Sequence, residues 1–251
     1  MRPHKSRYWL TSKDKLEDPK RFRQDVENLC ETYHQAQELH AQGIHVVSTD
    51  EKTSIQALER IHPSKPPRPG LVELIEHEYK RHGTLCLIAN FEVATGSIIE
   101  STIGPTRTEK DFAAHIQRTI NTERSAGWIF VADQLDTHMS ESLVRQIAEQ
   151  IEHAGDLGTK GRSGILKSRK TRKRFLSDPS HRIRFVYTPR HCSWLNQVEI
   201  WFSILSRRVL KRGNFSSVDD LREKLVAFIE YFNATLAKPF KWTYTGKPLT
   251  V

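Results

Sequence analysis

The 251-residue chain has only three cysteines, Cys30, Cys86 and Cys192. That is too few for a disulfide framework, so the compartment expected is the reducing cytoplasm. No apolar run approaches the roughly 18–20 residues of a membrane-spanning helix, and no signal-peptide core follows the basic start MRPHKSRYWL. The glycines at 158, 161 and 164 lack the strand–GxGxxG–helix and GxxxxGK(S/T) settings, which argues against a nucleotide-binding fold. His191-Cys192 has no CxxC or HxxxH companion, so no zinc site is read there. There is no internal repeat.

What is present is an ordinary core-forming composition. Hydrophobic residues make up 37% and aromatics 9%, and mean hydropathy is −0.58. Charge is unevenly placed. Lys+Arg is 39 against 30 Asp+Glu. The segment GTKGRSGILKSRKTRKR, residues 158–174, holds eight of the basic residues and no acid. These are Lys160, Arg162, Lys167, Arg169, Lys170, Arg172, Lys173 and Arg174. Without them the chain has 31 basic residues against 30 acidic ones, so one segment carries the basic character. On charge alone it reads equally as a polyanion contact and as a solvated loop.

Periodicity predicts a helix from Pro19 to Gln42, with Asp18 as N-cap, Gly43 as stop and an apolar stripe of Phe22, Val26, Leu29 and Tyr33. Strands follow at 44–50, 84–93 and 97–103, with a Pro-rich loop at 62–70 between the first two. A helix over 108–124 precedes a strand at 128–133, and a helix over 140–154 precedes the basic segment. A strand at 182–188 and helices over 193–211 and 218–236 complete the chain. A hairpin leading into βαβ units predicts an α/β fold, a mixed five-stranded sheet flanked by helices. Cys30 and Cys86 read as buried, Trp194, Trp201 and Phe202 as core, and Trp242 and Tyr244 as packing back on the domain. His138 reads as a helix-start residue.

Three acids stand out. Asp50 and Asp133 each end a predicted strand, where side chains of α/β sheets emerge into a crevice. For either alone the ordinary reading is a turn or cap residue. Glu199 lies at the seam of a helix whose core stripe is Trp194, Val198, Trp201, Leu205 and Val209. On helix geometry alone its partner is an arginine such as Arg207 or Arg208. Taken together, two strand-end aspartates and a helical glutamate can hold two Mg²⁺ ions, because Mg²⁺ prefers hard oxygen. Two such ions about 4 Å apart clamp the attacking and leaving oxygens of an in-line phosphoryl transfer.

The stretches STDEKTSIQALER (48–60), FVADQLDTHMSESL (130–143) and YTPRHCSWLNQVEIWFSIL (187–205) carry a family resemblance. The chain from Pro3 onward resembles a bacterial insertion-sequence transposase of the mariner-related DDE branch, with Pro189, Leu195, Asn196, Glu199 and Trp201 matching its most specific block. The resemblance implies a ribonuclease-H-like core and metal-dependent DNA cleavage and strand transfer at element ends. It makes Asp50, Asp133 and Glu199 the catalytic, metal-binding triad for two Mg²⁺ (or Mn²⁺) ions. It also implies DNA and a second copy of the chain as partners. Residues 1–43 then form a linker and N-terminal helix, and 44–251 the catalytic domain. The 66 positions from Asp133 to Glu199 exceed the mariner spacing, so a basic insertion is placed at about 155–180. Gln134 and Asp136 depart from the family pattern. The family's helix-turn-helix region for element ends would precede this chain or come from another subunit. The competing readings are an inactive remnant that binds only DNA or a partner subunit, and a ribonuclease-H-like nuclease acting on RNA–DNA hybrids.

Overall fold

The computed structural model describes residues 12–246. The basic start of the chain, with most of the predicted linker, lies outside the described residues. Five strands form one sheet: β1 Ile44–Arg60, β2 Tyr79–Glu92, β3 Ile98–Gly104, β4 Gly127–Ala132 and β5 Ile183–Tyr187. Their order is β3-β2-β1-β4-β5. β3, β2 and β1 are antiparallel, while β1, β4 and β5 are parallel. This is the predicted mixed sheet.

Strand alternation sorts side chains to two faces. Val46, Leu87, Phe91, Ile129 and Val131 face one core with α2 (Pro19–His34), α7 (Val198–Leu205) and α8 (Val218–Thr235). Val47, Ile88, Trp128, Phe130 and Phe185 face the other with α4 (Glu109–Thr122), α5 (Glu141–Gln150) and α6 (Arg169–Leu176). The remaining helices are α1 (Lys13–Glu17) and α3 (Ala36–Ala41).

Several expectations are corrected. The helix expected from Pro19 to Gln42 is jointed at Gln35 into α2 and α3. β1 does not end at Asp50; it runs on to Arg60, paired with β2 throughout. Glu51, Lys52 and the positive φ of 55° at Ser54 hide that continuation. Ser54 lies at a bulge where the register shifts, after which Ile55 and Ala57 resume the inward alternation. The helix expected over 193–211 is a 3₁₀ turn at Ser193–Leu195, then α7, then a π-helical turn at Ser206–Leu210. Trp194 therefore leaves the core stripe and is 55% exposed, its ring edge-on to Tyr244. Trp201 and Phe202 are buried as expected. Cys86 is half-buried rather than buried. Trp242 packs edge-on against Tyr33.

Candidate metal centre

The parallel register of β1 and β4 runs from Ile44 opposite Gly127 to Ser48 opposite Val131. Two residues further on each chain stand Asp50 and Asp133, so the two acids share one level of the sheet. Val46 of β1 and Ile129 and Val131 of β4 point to the face that α7 covers, and Asp133, just past the end of β4, is near enough for its charge to raise both Asp50 and Glu199. Here β1 turns wholly to β2 while β4 stops at Ala132. A crevice opens where the two part.

Asn196, fully buried, locks α7 to this spot. Its Nδ2 donates to the Thr49 carbonyl (3.0 Å) and to Oδ2 of Asp50 (3.2 Å), and its Oδ1 accepts from Ser48 Oγ. Ser48 Oγ also accepts from the Val198 backbone N–H (2.8 Å). Tyr33 donates to the Leu195 carbonyl (2.9 Å). Glu199, in the first turn of α7, is thereby delivered to the aspartates' face. It is half-buried, and its carboxylate makes no hydrogen bond or ion pair among the described residues. The cation that acts on it is Lys52 of β1, not Arg207 or Arg208; Lys52 Nζ also lies 5.9 Å from the centre of the Phe202 ring.

The opposite parity of β1 hides a pair that sequence reasoning missed. Glu51 points through the sheet toward His138. Oε1 of Glu51 lies 3.2 Å from His138 Nε2, and Oδ1 of Asp133 lies 2.7 Å from His138 Nδ1. Tyr187 donates to the His138 carbonyl (2.8 Å), and the His138 ring leans on Phe112. Burial alone would depress this imidazole, but the two carboxylates outweigh it and raise its pKa to about 10. His138 stands in the 3₁₀ turn Thr137–Met139 that leads into α5, and beyond that role it lies between two carboxylates that favour its charged form. The signal was available: an acid at an inward-facing strand position requires a buried partner.

Burial, then the neighbouring Asp133 charge, pushes the Asp50 carboxyl up to about 7. Burial also raises Glu199, against Lys52 and together with Asp133. Asp133 itself is drawn upward by burial, yet His138 and the Leu135 N–H hold it below the usual carboxylate range. The pattern is an excess of negative charge in one crevice, which a divalent cation relieves. Asp50 and Glu51 offer hard carboxylate oxygens, and a ring nitrogen of His138 lies within 4.8 Å of both. Asp133 and Glu199 stand outside that tight set and join it through charge. The residues therefore fit a hard divalent ion.

The basic segment is folded. Ser168 and Thr171 form a capping box that starts α6, and the eight cations divide. Arg172 is half-buried and donates to the carbonyls of Met139 (2.6 Å) and Leu166 (3.3 Å). Lys173 sits over the Tyr187 ring. Lys160 pairs with Glu141. Arg169 pairs with Asp136 and donates to the Gln134 carbonyl, beside Asp133. Arg162, Lys167, Lys170 and Arg174 are exposed.

A model of the DDE superfamily endonuclease family matches residues 45–222. No curated protein sequence matches the chain. Among solved structures it is similar to the Mos1 mariner paired end complex with Mn, at 14% identity and a TM-score of 0.58, over 95% of this chain and 61% of that one. It is similar to the catalytic domain of Mos1 mariner transposase at 12% identity and a TM-score of 0.52, over 88% and 85%. It is likewise similar to the Mos1 catalytic domain with raltegravir and Mn, at 11% identity and a TM-score of 0.52, over 94% and 89%. At such identities the likeness is one of fold, and the fold is the expected ribonuclease-H-like one. The chain spans about three-fifths of the length of the Mos1 chain in the paired end complex. With the family model covering more than half of its length, the chain belongs to the DDE superfamily endonucleases.

Proposed function

We propose that this chain is a transposase catalytic core that cuts DNA at the ends of an insertion sequence and joins the freed 3′-hydroxyl to a target strand. The observation that supports this reading is that the Asp133 charge raises both Asp50 and Glu199, which makes the three carboxylates neighbours. In this reading these three hold two Mg²⁺ or Mn²⁺ ions, and residues 44–251 are the catalytic domain. The chemistry such ions supply when bound is activation of a water or 3′-hydroxyl and stabilisation of the leaving oxygen. The chain's own residues do the positioning: Asn196 orients Asp50, and His138 fixes Asp133 from beneath. Arg162, Lys167, Lys170 and Arg174 contact phosphates, and Arg169 carries that positive surface to the edge of the crevice. Lys160, Arg172 and Lys173 support the same surface from within the fold. Two element ends must be joined, so the working form is a dimer. A helix-turn-helix region, in the same protein or another subunit, reads the end sequence. The setting is the DNA of a bacterial cytoplasm.

The test is divalent-metal-dependent nicking and strand transfer on DNA carrying the element's inverted repeats, wild type against Glu199→Gln. Activity that disappears in the variant supports the reading. Equal activity in both removes Glu199 from the metal centre. DNA binding without cutting in either, even with a recognition region supplied, favours the inactive remnant.

A further inference from the structure

A second cluster of ligating side chains lies at the start of β1. His45 precedes Asp50 by five residues, on the order of 16 Å along an extended strand. Nδ1 of His45 is 2.7 Å from Glu92 Oε2 on β2. Its Nε2 is 3.1 Å from Oε2 of Glu123, just beyond α4. The ring stacks on Trp128 with centroids 4.3 Å apart. His40 of α3 brings its Nδ1 to 3.9 Å from the other Glu92 oxygen, Oε1. One ligand atom from each of His40, His45 and Glu92 lies within 4.8 Å of the other two.

An imidazolium at His45 held between two carboxylates would account for only part of this. It leaves two buried polar atoms unused: Oε1 of Glu92, a residue 2% exposed, and Nδ1 of His40, neither with a hydrogen-bond partner among the described residues. Such atoms are expensive to bury unpaired. It also leaves a charge deficit. Among the described residues, the ion pairs of Glu92 and Glu123 run only to His40 and His45. One proton on His45 therefore faces two carboxylates.

We propose that His40, His45 and Glu92 bind a zinc-class divalent transition metal, separately from the three-acid centre. Two imidazoles and a carboxylate are the donor set that such ions prefer, whereas Mg²⁺ takes oxygen and keeps its waters. The ion uses Nδ1 of His40, Nδ1 of His45 and the Glu92 carboxylate, and leaves a fourth position for water. Glu123 then accepts the Nε2–H of His45, fixing its tautomer and strengthening it as a ligand. The ion neutralises the two carboxylates and staples α3 to β1 and β2.

The experiment titrates chelator-treated protein with Zn²⁺ by calorimetry and with Co²⁺ as a visible-absorbing stand-in. The expected result is one tight equivalent with the intense visible bands of four-coordinate Co²⁺, and a Zn²⁺-dependent rise in melting temperature. Binding disappears in His40→Gln, a substitution on a helix surface. It weakens roughly 10–100-fold in Glu123→Gln, which touches no ligand bond. It persists in Asp50→Asn, so its outcome is independent of DNA cleavage. Absence of the Co²⁺ bands in wild type overturns the proposal without any variant. Binding that survives His40→Gln, or vanishes in Asp50→Asn, overturns it as well.

Discussion

Replacing His138 with glutamine removes the cation that lies between Glu51 and Asp133. The consequences for the two acids differ. The Asp133 side chain is 36% exposed and can turn to water, whereas the Glu51 side chain is 1% exposed and cannot. Leaving one member of a buried pair without its partner costs about 3–5 kcal/mol. Removing both charges together, in Glu51→Gln/His138→Gln, leaves no uncompensated ion on the buried side, and Asp133 can still reach water. The double variant should therefore be more stable than the sum of the single losses by roughly 2–3 kcal/mol. Urea unfolding at neutral pH gives the four free energies, provided the m-values agree. A chelator must be present, because a metal near Asp50 would stand in for the lost cation. A loss under about 1 kcal/mol in His138→Gln, or losses additive within about 0.5 kcal/mol, would refute the buried-pair reasoning.

Two further predictions concern charge elsewhere. Changing Arg162, Lys167, Lys170 and Arg174 to glutamine should weaken DNA binding and reduce its log–log salt slope by about 0.9 for each phosphate no longer neutralised, with the urea midpoint unmoved. Arg172→Gln should instead lower stability by about 1–3 kcal/mol, because the Met139 carbonyl loses its donor; equal effects of both changes on the salt slope would erase that division. His115 is fully buried, its Nδ1 2.7 Å from Thr102 Oγ1, and burial followed by the Arg118 charge lowers its pKa to about 3. Only the unfolded chain takes up this proton below about pH 6.5. The stability that neutral His115 permits is therefore intact above that pH and is lost as pH falls toward 3, by up to about 1.4 kcal/mol per pH unit. His115→Gln should flatten that part of the acid limb, and an unchanged limb would show that other groups set it.

The sheet was legible because its central strands are apolar on consecutive positions and their helices carry caps and stripes. Asp50, Asp133 and Glu199 stand out as candidates because they lie in or beside such elements. What escaped detection depended on pairing between distant segments. The continuation of β1 past Asp50 is charged and bulged, and only β2 makes it a strand. Trp194 falls at the right helical spacing for the core, but a 3₁₀ turn replaces the helix there and swings it outward. Glu51 and His138 are 87 positions apart in sequence, and nothing local to either announces the other. The basic segment reads as a loop by charge, yet Arg172 and Lys173 spend their side chains inside the fold.

β1 carries ligating residues near its start and at its middle, and donor chemistry rather than position sorts them. At the Asp50 site the side chains are carboxylates, Asp50 and Glu199 raised by burial and by Asp133, with His138 paired against Glu51 and Asp133. An imidazolium has no lone pair to give, so that site presents oxygen alone, and oxygen favours Mg²⁺ or Mn²⁺. At the His45 site two imidazoles converge on a single carboxylate, and a metal there displaces one proton from between His45 and Glu92. Zinc at the first site would need His138 to abandon both carboxylates. Magnesium at the second would need to accept nitrogen. Zinc is thus disfavoured at the first site by the two carboxylates that keep a proton on His138, and magnesium at the second by its nitrogen donors.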